Sequence, residues 1–460
     1  MLVRMKRFKL AIICACLCVS MQSFAQSDSL VIRKMFNQIV SNGLCYSRLD
    51  YLSNQIGGRL SGSPEAARAV QYTFDQLKSE GFDSVWLQEV MVPHWVRGEK
   101  EKAYIVSNGK KQEVAICALG NSIGTGKSGI KSKVIEVKSF DELKKLGKEK
   151  VEGKIVFYNR PMNPLFIRTF EAYGDAVDQR AAGAIEAAKY GAIAVVVRSM
   201  ASNVDPYPHT GAMRYQDGVK QIPACAISTL HAEQLSKQLV QNNELEFFFK
   251  QTCEMLPDVL SYNVIAQING TEKPEEIIVV GGHLDAWDNG DGAHDDGSGV
   301  VQSMEVLHTF KTLGLKPKRT IRCVLFMNEE NGLRGGVTYA KVAKEKAEKH
   351  LAAIETDAGG FTPRSFSASA SPEVLGRMKQ WEPLLKQYGI EEITAGGGGA
   401  DIGPLKPQGT VLIGYGPDSQ RYFDLHHSGE DTFDKVSKRE LEFGAATISG
   451  LIWLISEYGL

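Results

Sequence analysis

Residues 277–299, IIVVGGHLDAWDNGDGAHDDGSG, join a short apolar run to a segment rich in aspartate, histidine and glycine. The apolar run over 277–280 is β-branched throughout and is followed by glycine, which is typical of a buried strand. The polar segment, Gly281 to Gly299, therefore begins at the carboxyl end of that strand. It has three interpretations: a solvated acidic loop, a calcium-binding loop, or one edge of a catalytic metal site.

The chain after Tyr262 repeats this arrangement of a short strand followed by an amphipathic helix. We expect strands at 277–280, 320–327, 352–355 and 410–413, with helices at 298–313, 338–349, 372–388 and 438–458. Such alternation predicts an α/β fold with a mostly parallel mixed sheet and helices on both faces. Ligands of such sheets bind at the carboxyl ends of the strands.

The amino terminus has the features of a cleaved secretory signal: a basic start, an apolar run over 10–19 and a small-x-small site ending at Ala25. A membrane anchor would need almost twice that apolar length, and neither Cys16 nor Cys18 has the small-residue context of a lipoprotein. We therefore predict a signal peptide over 1–25, cleaved near Ala25. The mature protein would be secreted or periplasmic, without stable membrane insertion.

Composition divides the mature chain into three segments. A change in character at Gly120 opens a stretch with its own short strands and a helix, and the earlier alternation resumes after Pro257 as though interrupted. We predict an inserted domain over 120–257. It separates a first part, 26–119, from a second part, 258–460, which carries the polar strand ends.

Charge and cysteine content exclude some classes of protein. The formal net charge of -1 becomes -5 once the four basic residues of the signal are removed, so no basic surface for nucleic acid is predicted. The five cysteines outside the signal are widely spaced, and none lies in a CxxC pattern. At most two disulfides are open to them, and buried free thiols are the simpler expectation.

Histidine and carboxylate side chains follow four of the predicted strands. They are His283 and Asp285, the pair Glu329 and Glu330, Asp357, and the group His426, His427 and Asp431. Because the carboxyl ends of parallel strands meet at one edge, we expect these side chains to lie together. The aspartates of 281–299 lack the spacing of an EF-hand loop, and mixed imidazole and carboxylate ligands suit zinc better than calcium.

A hydrolytic site with two zinc ions accounts for this set of side chains. Such a site needs a bridging carboxylate, further carboxylate and imidazole ligands, and a base that is not a ligand. Five side chains can supply the ligands: His283, Asp295, Glu330, Asp357 and His427. Glu329, adjacent to Glu330, is then the natural general base. Asp285, two residues from His283, suits a carboxylate that orients the imidazole.

At these positions the sequence resembles the M28 metallopeptidases, a family of zinc peptidases with paired metal ions. The family pattern is HxD, GAxDD, an EE pair, a later D and H[ST]xxDT, and this chain reads HLD, GAHDD, NEENG, ETDAGG and HHSGEDT. The resemblance implies a zinc exopeptidase fold, two Zn²⁺ per chain and Glu329 as the base. The implied ligands are His283, Asp295 and Asp357 for one zinc, and Asp295, Glu330 and His427 for the other.

One branch of the family is similar over nearly all of the mature chain, including GNSIGTG, HTGAMRYQDGV and LGLKPKRTIR. That similarity implies a protease-associated domain for 120–257, hydrolysis of dipeptides or short peptides with free termini, and a homodimer. Family members act as dipeptidases, carboxypeptidases or aminopeptidases, and the motifs do not separate these activities. A binding protein that keeps the fold without catalysis is the remaining alternative, although no ligand or base is missing.

Two stretches of the second part, 396–405 and 414–423, are candidates for the substrate pocket. Their polar candidates are Tyr415, Arg421 and Tyr422, whose alternative role is in ordinary strand-to-helix turns. Within 281–299, four residues are not needed as ligands and are expected to tolerate substitution: Asp288, Asp291, His294 and Asp296.

Overall fold

The structure is a computed structural model that describes residues 27–107 and 109–460. The predicted signal peptide over 1–25 lies outside the described residues. The strands of the described chain form two eight-stranded sheets. The first sheet carries the polar strand ends, and the second is built from the middle of the chain.

Strands and helices alternate along most of the described chain. The strands are β1 (Ser84–Val96), β2 (Lys102–Ser107), β3 (Lys110–Glu113), β4 (Ile116–Ala118), β5 (Ile130–Val137), β6 (Ile155–Tyr158), β7 (Ala194–Arg198), β8 (Ala224–Ile227), β9 (Glu246–Lys250), β10 (Glu254–Ile268), β11 (Lys273–His283), β12 (Arg319–Phe326), β13 (Lys349–Glu355), β14 (Pro363–Ser369), β15 (Glu392–Ala395) and β16 (Val411–Pro417).

The helices are distributed over both halves of the fold. They are α1 (27–42), α2 (Cys45–Asp50), α3 (Pro64–Ser79), α4 (Phe140–Val151), α5 (Thr169–Ala176), α6 (Asp178–Ala181), α7 (Gly183–Lys189), α8 (Thr229–Gln241), α9 (Ser298–Thr312), α10 (Arg334–Glu345), α11 (Pro372–Lys379), α12 (Glu382–Leu385), α13 (Tyr422–Leu425) and α14 (Lys438–Tyr458). Short π-helical turns lie at Tyr51–Ile56 and Ala293–Gly297, and 3₁₀ turns lie at Lys386–Tyr388, Gly403–Gln408 and Phe433–Lys435.

The first sheet has the strand order β1-β10-β12-β11-β13-β16-β14-β15. Its centre, from β12 to β16, is parallel, whereas the pairs β1-β10, β10-β12 and β14-β16 are antiparallel. Helices α3, α9 and α14 pack on one face, and α10 packs on the other. The expected α/β class with a mixed sheet and helices on both faces is confirmed. The antiparallel margins are more extensive than the sequence suggested.

Local sequence explains why these elements form. In β11, Ile278 and Val280 pack towards α9, while Ile277 and Val279 pack towards α10, as the two-residue period of a strand requires. The hydroxyl of Ser63 accepts a hydrogen bond from the backbone N–H of Ala66 at 3.0 Å and caps the start of α3. The last helix, α14, has the predicted bounds.

The second sheet has the order β3-β2-β9-β5-β6-β7-β8-β4 and uses residues 102–250. Strands β2, β3 and β4 belong to it, although the sequence predicts that residues up to 119 belong to the first part of the chain. The reason is the long antiparallel ribbon of β1 with β10, in which Val96 pairs with Glu254. The chain therefore leaves the first sheet after Val96 and re-enters it at Glu254.

The cysteines and the helices bear on two further expectations. Cys45, Cys117, Cys225, Cys253 and Cys323 are all buried free thiols, as expected. Within residues 27–107 and 109–460, no helix combines the length and the apolar character needed to cross a membrane.

Candidate metal centre

Three adjacent parallel strands deliver the side chains of the site. His283 at the end of β11 pairs with Phe326 at the end of β12, and Gly281 pairs with Glu355 at the end of β13. The segments that follow these strands therefore leave the sheet side by side. Together with the turn after α13, they bring into one cluster all five side chains expected to bind metal: His283, Asp295, Glu330, Asp357 and His427.

Asp295 lies at the middle of the cluster and faces in two directions. Its Oδ1 is 3.1 Å from Nε2 of His283, and its Oδ2 is 3.1 Å from Nε2 of His427. Asp357 Oδ1 lies 3.6 Å from the same His283 nitrogen, and Glu330 Oε2 lies 3.2 Å from the same His427 nitrogen. One carboxylate is thus shared between two groups, each with one histidine and one further acid.

The donor set fits divalent cations. Asp295 Oδ2 and Asp357 Oδ1 are buried oxygens that accept no hydrogen bond. A carboxylate oxygen buried without a hydrogen bond is costly, and a cation bound there would remove that cost. Imidazole nitrogens and carboxylate oxygens are the ligands of zinc, and groups of three such residues here place one ligand atom each within 4.8 Å of one another.

The charges of the cluster favour a cation at the same position. Burial lowers the pKa of His427, but the neighbouring Glu330 and Asp295 outweigh burial and raise it to about 10. Burial raises the pKa of Glu330 to about 7, and the charge of Asp295 adds to this effect. Acids packed this closely hold protons strongly, and a divalent cation competes for the same oxygens and nitrogens.

Asp285 makes a different contact from the one expected. Nδ1 of His283 lies 2.9 Å from the backbone carbonyl oxygen of Asp285 but 3.9 Å from its carboxylate. The carbonyl thus orients the imidazole, with the proton on Nδ1 and Nε2 turned to the cluster. The carboxylate instead accepts backbone N–H hydrogen bonds from Asn328, Glu329 and Glu330 at 2.7, 3.0 and 3.3 Å. It therefore positions the segment that carries the expected base.

Glu329 lies in the wall of a cavity of about 430 Å³ that also reaches Asp295 and His427. Burial raises the pKa of Glu329 well above its usual value, and the charges of Asp357 and Glu330 add to this. A carboxylate with a raised pKa beside an open cavity has the character of a general base.

The three pocket candidates lie in different places. Tyr422 is buried and lines the cavity. Tyr415 packs on Phe366 and borders a smaller neighbouring cavity of about 220 Å³. Arg421 points away and pairs with Glu440 at 2.9 Å. The opposite wall comes from helices α5 and α6 and from loops of the middle of the chain, and no local pattern predicts that these residues lie there: Asn121, Phe170, Tyr173, Arg180 and Met213.

A fully buried arginine outside these motifs holds the polar segment in place. Arg59 donates hydrogen bonds to the backbone carbonyl oxygens of Leu284 at 2.8 Å and of Asp291 and Gly292 at 2.9 Å. The segment 281–299 thus folds around a guanidinium and is not a solvated loop. Nothing in the short stretch around Arg59 indicates this role, because the partners follow more than two hundred residues later.

The four residues of this segment that are expected to tolerate substitution differ in burial and fall into two pairs. Asp288 pairs with Arg97 at 2.6 Å near the surface, and Asp291 is partly buried. Asp296, in contrast, is fully buried and accepts hydrogen bonds from the backbone N–H groups of His283 at 3.0 Å and Gly299 at 2.9 Å. His294 is also fully buried, stacked on Phe361, and accepts the N–H of Gly360. These contacts argue against tolerance at Asp296 and His294.

Asp431 is a further support whose contacts the motif did not specify. Its two carboxylate oxygens accept the backbone N–H groups of His294 at 2.7 Å and Asp295 at 3.0 Å. Asp431, in the segment after α13, therefore fixes the backbone of Asp295, whose carboxylate is shared between the two groups.

Known proteins share both the sequence and the fold of this chain. Residues 263–452 match the sequence profile described as Peptidase family M28. Over 413 residues the chain is 36% identical to carboxypeptidase Q of Mus musculus, a match that covers 90% of this chain and 84% of the mouse protein. Carboxypeptidase Q of Homo sapiens is 37% identical with the same coverage.

Solved structures show the same architecture. A peptidase M28 precursor from Shewanella amazonensis superposes with a TM-score of 0.90 at 32% identity, over 94% of this chain and 97% of that one. The zinc aminopeptidase BSAP from Bacillus subtilis superposes with a TM-score of 0.64 at 18% identity, over 89% of this chain and 94% of that one. At 18% identity the second likeness concerns the fold alone.

Replacing Arg59 with methionine should destabilise the fold and weaken metal binding. The substitution leaves three buried carbonyl oxygens without donors, so we expect a loss of about 3 kcal/mol in the free energy of unfolding. Urea denaturation and the zinc content of the purified protein measure the two effects. Arg68→Met, at an exposed position on α3, is the control and should change neither. Wild-type stability and zinc content in Arg59→Met would contradict the proposed support.

Proposed function

Because the chain belongs to peptidase family M28, we propose that it is a dinuclear zinc exopeptidase that hydrolyses dipeptides or short peptides with free termini. The activity would be that of a dipeptidase or of a carboxypeptidase, and the name of the carboxypeptidase Q relatives supports the second. The observation that carries the proposal is the carboxylate of Asp295, whose two oxygens face His283 and His427. Two cations that shared this carboxylate would form a clamp suited to hydrolysis.

The residues that would hold the ions form two overlapping sets. They are His283, Asp295 and Asp357 for one ion, and Asp295, Glu330 and His427 for the other. When bound, the ions polarise the scissile carbonyl and make water a stronger acid. Asp285 supports both sets, since its carbonyl orients His283 and its carboxylate fixes the backbone of Glu329 and Glu330.

Glu329 is the proposed general base. It takes a proton from the attacking water as the new carbon–oxygen bond forms, and it gives that proton to the amine nitrogen as the peptide bond breaks. Its burial favours this double role, because a carboxyl with a raised pKa holds the proton between the two steps. The cavity volume of about 430 Å³ suits a ligand the size of a dipeptide.

Localisation, domain organisation and oligomeric state are also proposed. We place the mature protein outside the cytoplasm, after removal of the predicted signal. We also interpret the second sheet as part of a protease-associated domain inserted in the peptidase domain, and the enzyme as a homodimer. An aminopeptidase that releases amino-terminal residues is the alternative activity, and a non-catalytic binding protein is the more remote one.

Glu329→Gln should retain metal and lose activity. The amide occupies nearly the same volume but cannot take a proton, so we expect kcat to fall about 1,000-fold. Zinc content and dipeptide turnover are measured on the same preparation. Glu330→Gln is the matched neighbour and should lose metal as well as activity, because Glu330 faces His427. Substantial turnover by Glu329→Gln would remove Glu329 from the role of base.

Metal analysis should find close to two zinc ions per chain in the wild-type protein. Asp295→Ala should lose most of both ions, because one side chain serves both sets of ligands. Asp357→Ala should lose mainly one, because Asp357 lies near His283 and not near His427. Chelation should abolish turnover and added zinc should restore it. A wild-type protein that binds no metal would favour the binding-protein alternative.

Blocked dipeptides should identify the terminus that the enzyme requires. We expect an amide at the carboxyl end to abolish cleavage, with an additional loss on amino acetylation if the enzyme is strictly a dipeptidase. Initial rates of release of free amino acid measure each case. Loss on amino acetylation alone would instead indicate an aminopeptidase.

A further inference from the structure

The cleft in front of the metal cluster continues past Asp357 into two further cavities. The inner one has a volume of about 220 Å³ and the outer one about 550 Å³. Asp357 and Phe170 line both of them, and both residues also line the cavity of about 430 Å³ that contains Glu329. The three cavities are therefore neighbours along one cleft. A dipeptide needs only the cavity of about 430 Å³, so the rest of the cleft has room for a longer substrate.

The rim of the outer cavity carries a run of exposed apolar side chains. Residues 165–167 read LFI, and Ile167 lines the outer cavity while 86% of it is exposed. Phe170 lines the same cavity and is also exposed, and Leu165 extends the apolar surface outward. Contiguous exposed apolar side chains mark binding surfaces. Because this surface opens into the cleft, its position favours a ligand that reaches the metal centre.

Hydrogen bonds hold this rim against the segment that follows β16. Nε2 of Gln420 donates to the backbone carbonyl oxygen of Ile167 at 2.8 Å. The hydroxyl of Thr169 donates to the backbone carbonyl oxygen of Ser419 at 2.9 Å. The apolar rim is therefore fixed beside the cleft in advance. A substrate can contact it without the entropic cost of ordering a loop.

The carboxylates of the inner and outer cavities have partners within the chain. Four acids line these cavities besides the proposed ligand Asp357: Glu355, Glu391, Glu392 and Asp418. Three of them face an arginine, since Asp418 and Glu391 lie 3.2 and 3.9 Å from Arg364 and Glu392 lies 3.4 Å from Arg168. Glu355 accepts the backbone N–H of Ile402 at 2.9 Å. Walls of this kind suit the uncharged amides of a continuing peptide chain.

The position of the proposed base sets the direction of the substrate. Glu329 lines the cavity of about 430 Å³ but neither the inner nor the outer cavity. In the proposed reaction Glu329 gives its proton to the leaving amine, so the residue after the scissile bond lies in the cavity with Glu329. The acyl part, on the other side of the scissile carbonyl, then lies past Asp357. The inner and outer cavities therefore receive residues that precede the scissile bond.

We propose that the outer cavity binds the second residue before the scissile bond, and that Ile167 and Phe170 contact an apolar side chain of that residue. The inner cavity receives the residue directly before the bond. An extended chain advances roughly 3.5 Å per residue, so consecutive residues reach consecutive cavities. The inference rests on the proposed function and names a substrate class, peptides of three or more residues with an apolar residue at this position.

The consequence concerns the choice between the proposed activities. A peptide whose acyl part fills the outer cavity loses its carboxyl-terminal residue, and its own amino terminus lies away from the metal centre. A dipeptide leaves the outer cavity empty and gains nothing from the apolar rim. The enzyme is then a carboxypeptidase that also cleaves dipeptides, with its preference set two residues before the bond.

The test compares leucyl-alanyl-alanine with seryl-alanyl-alanine in the zinc-loaded, full-length enzyme. We expect the wild type to release the carboxyl-terminal alanine with about 10-fold higher kcat/KM from the leucyl peptide, the effect of partly burying a leucine side chain. Acetylation of the amino terminus should leave this preference in place. Ile167→Ser should remove most of it. Mass spectrometry of the first products measures each rate and identifies the bond that is cleaved.

Leu165→Ser is the matched control. Leu165 lies on the same loop and is as exposed as Ile167, at 87%, but it does not line the outer cavity. We expect Leu165→Ser to keep the wild-type ratio of leucyl to seryl peptide. Because each variant is judged by a ratio of two substrates, the fraction of folded protein does not affect the result.

A binding measurement supplies a readout that does not depend on turnover. In the Glu329→Gln background, calorimetric Kd values for the leucyl and seryl peptides should differ about 10-fold. Adding Ile167→Ser should bring the two values close together. Adding Leu165→Ser should leave them apart.

Four outcomes would overturn the inference. An unchanged ratio in Ile167→Ser would assign the preference to another group. Release of leucine, and not of alanine, as the first product would reverse the direction of the substrate. A wild-type enzyme that cleaves alanylalanine but neither tripeptide would close the outer cavity to substrates and leave the proposed peptidase activity intact. A smaller particle in sedimentation velocity for both variants, with unchanged ratios, would assign the rim to a contact between subunits.

Failure of the proposed function is distinct from all four outcomes. The wild type would then cleave neither alanylalanine nor either tripeptide.

Discussion

The close burial of several carboxylates is the constraint on which the rest of the site depends. Burial in a low dielectric, together with like charges nearby, disfavours ionised acids. Three buried acids that are not proposed ligands are each stabilised by backbone N–H donors. Asp285 accepts from residues 328–330, Asp296 from His283 and Gly299, and Asp431 from His294 and Asp295. Two of the proposed ligands, Asp295 and Asp357, each keep one oxygen without a donor, where a bound cation would take the place of the donor.

The segment 281–299 can stabilise buried acids because its backbone N–H groups and its carbonyl oxygens point in different directions. Several of its N–H groups are directed at Asp296 and Asp431, while the carbonyl oxygens of Leu284, Asp291 and Gly292 are directed at Arg59. One buried guanidinium therefore orders the carbonyl side of the same backbone whose N–H side holds the acids. A solvated acidic loop, which was one interpretation of the sequence, would leave these groups to water.

The sequence predicted the parts of the site that depend on local order. Parallel strands end at one edge, so side chains at 283, 330 and 357 could be expected to meet without knowledge of the loops. The partners of Arg59 lie more than two hundred residues away in sequence, and no periodicity or spacing connects them to it. The same reason explains the boundary near Lys102: the ribbon of β1 with β10 depends on pairing across the whole middle of the chain. The sequence could not show which group of Asp285 orients His283. The backbone carbonyl and the side-chain carboxylate belong to the same residue, so they are equally close to the histidine in sequence.

Trp287 packs between the proposed metal ligands and Gly120, which follows β4 at the edge of the second sheet. The backbone N–H of Trp287 donates to Glu330 at 3.2 Å, and its ring lies edge-on to His427 at 5.8 Å. On its other side, a Cβ on Gly120 would overlap the ring. Arg97, which lies between β1 and β2, pairs with the neighbouring Asp288. A shift of the second sheet would therefore move the backbone that positions Glu330, so the cavity wall and the ligands form one mechanical unit. Such rigidity suits the proposed hydrolysis of dipeptides, because a dipeptide offers few contacts beyond its two termini and the bond between them.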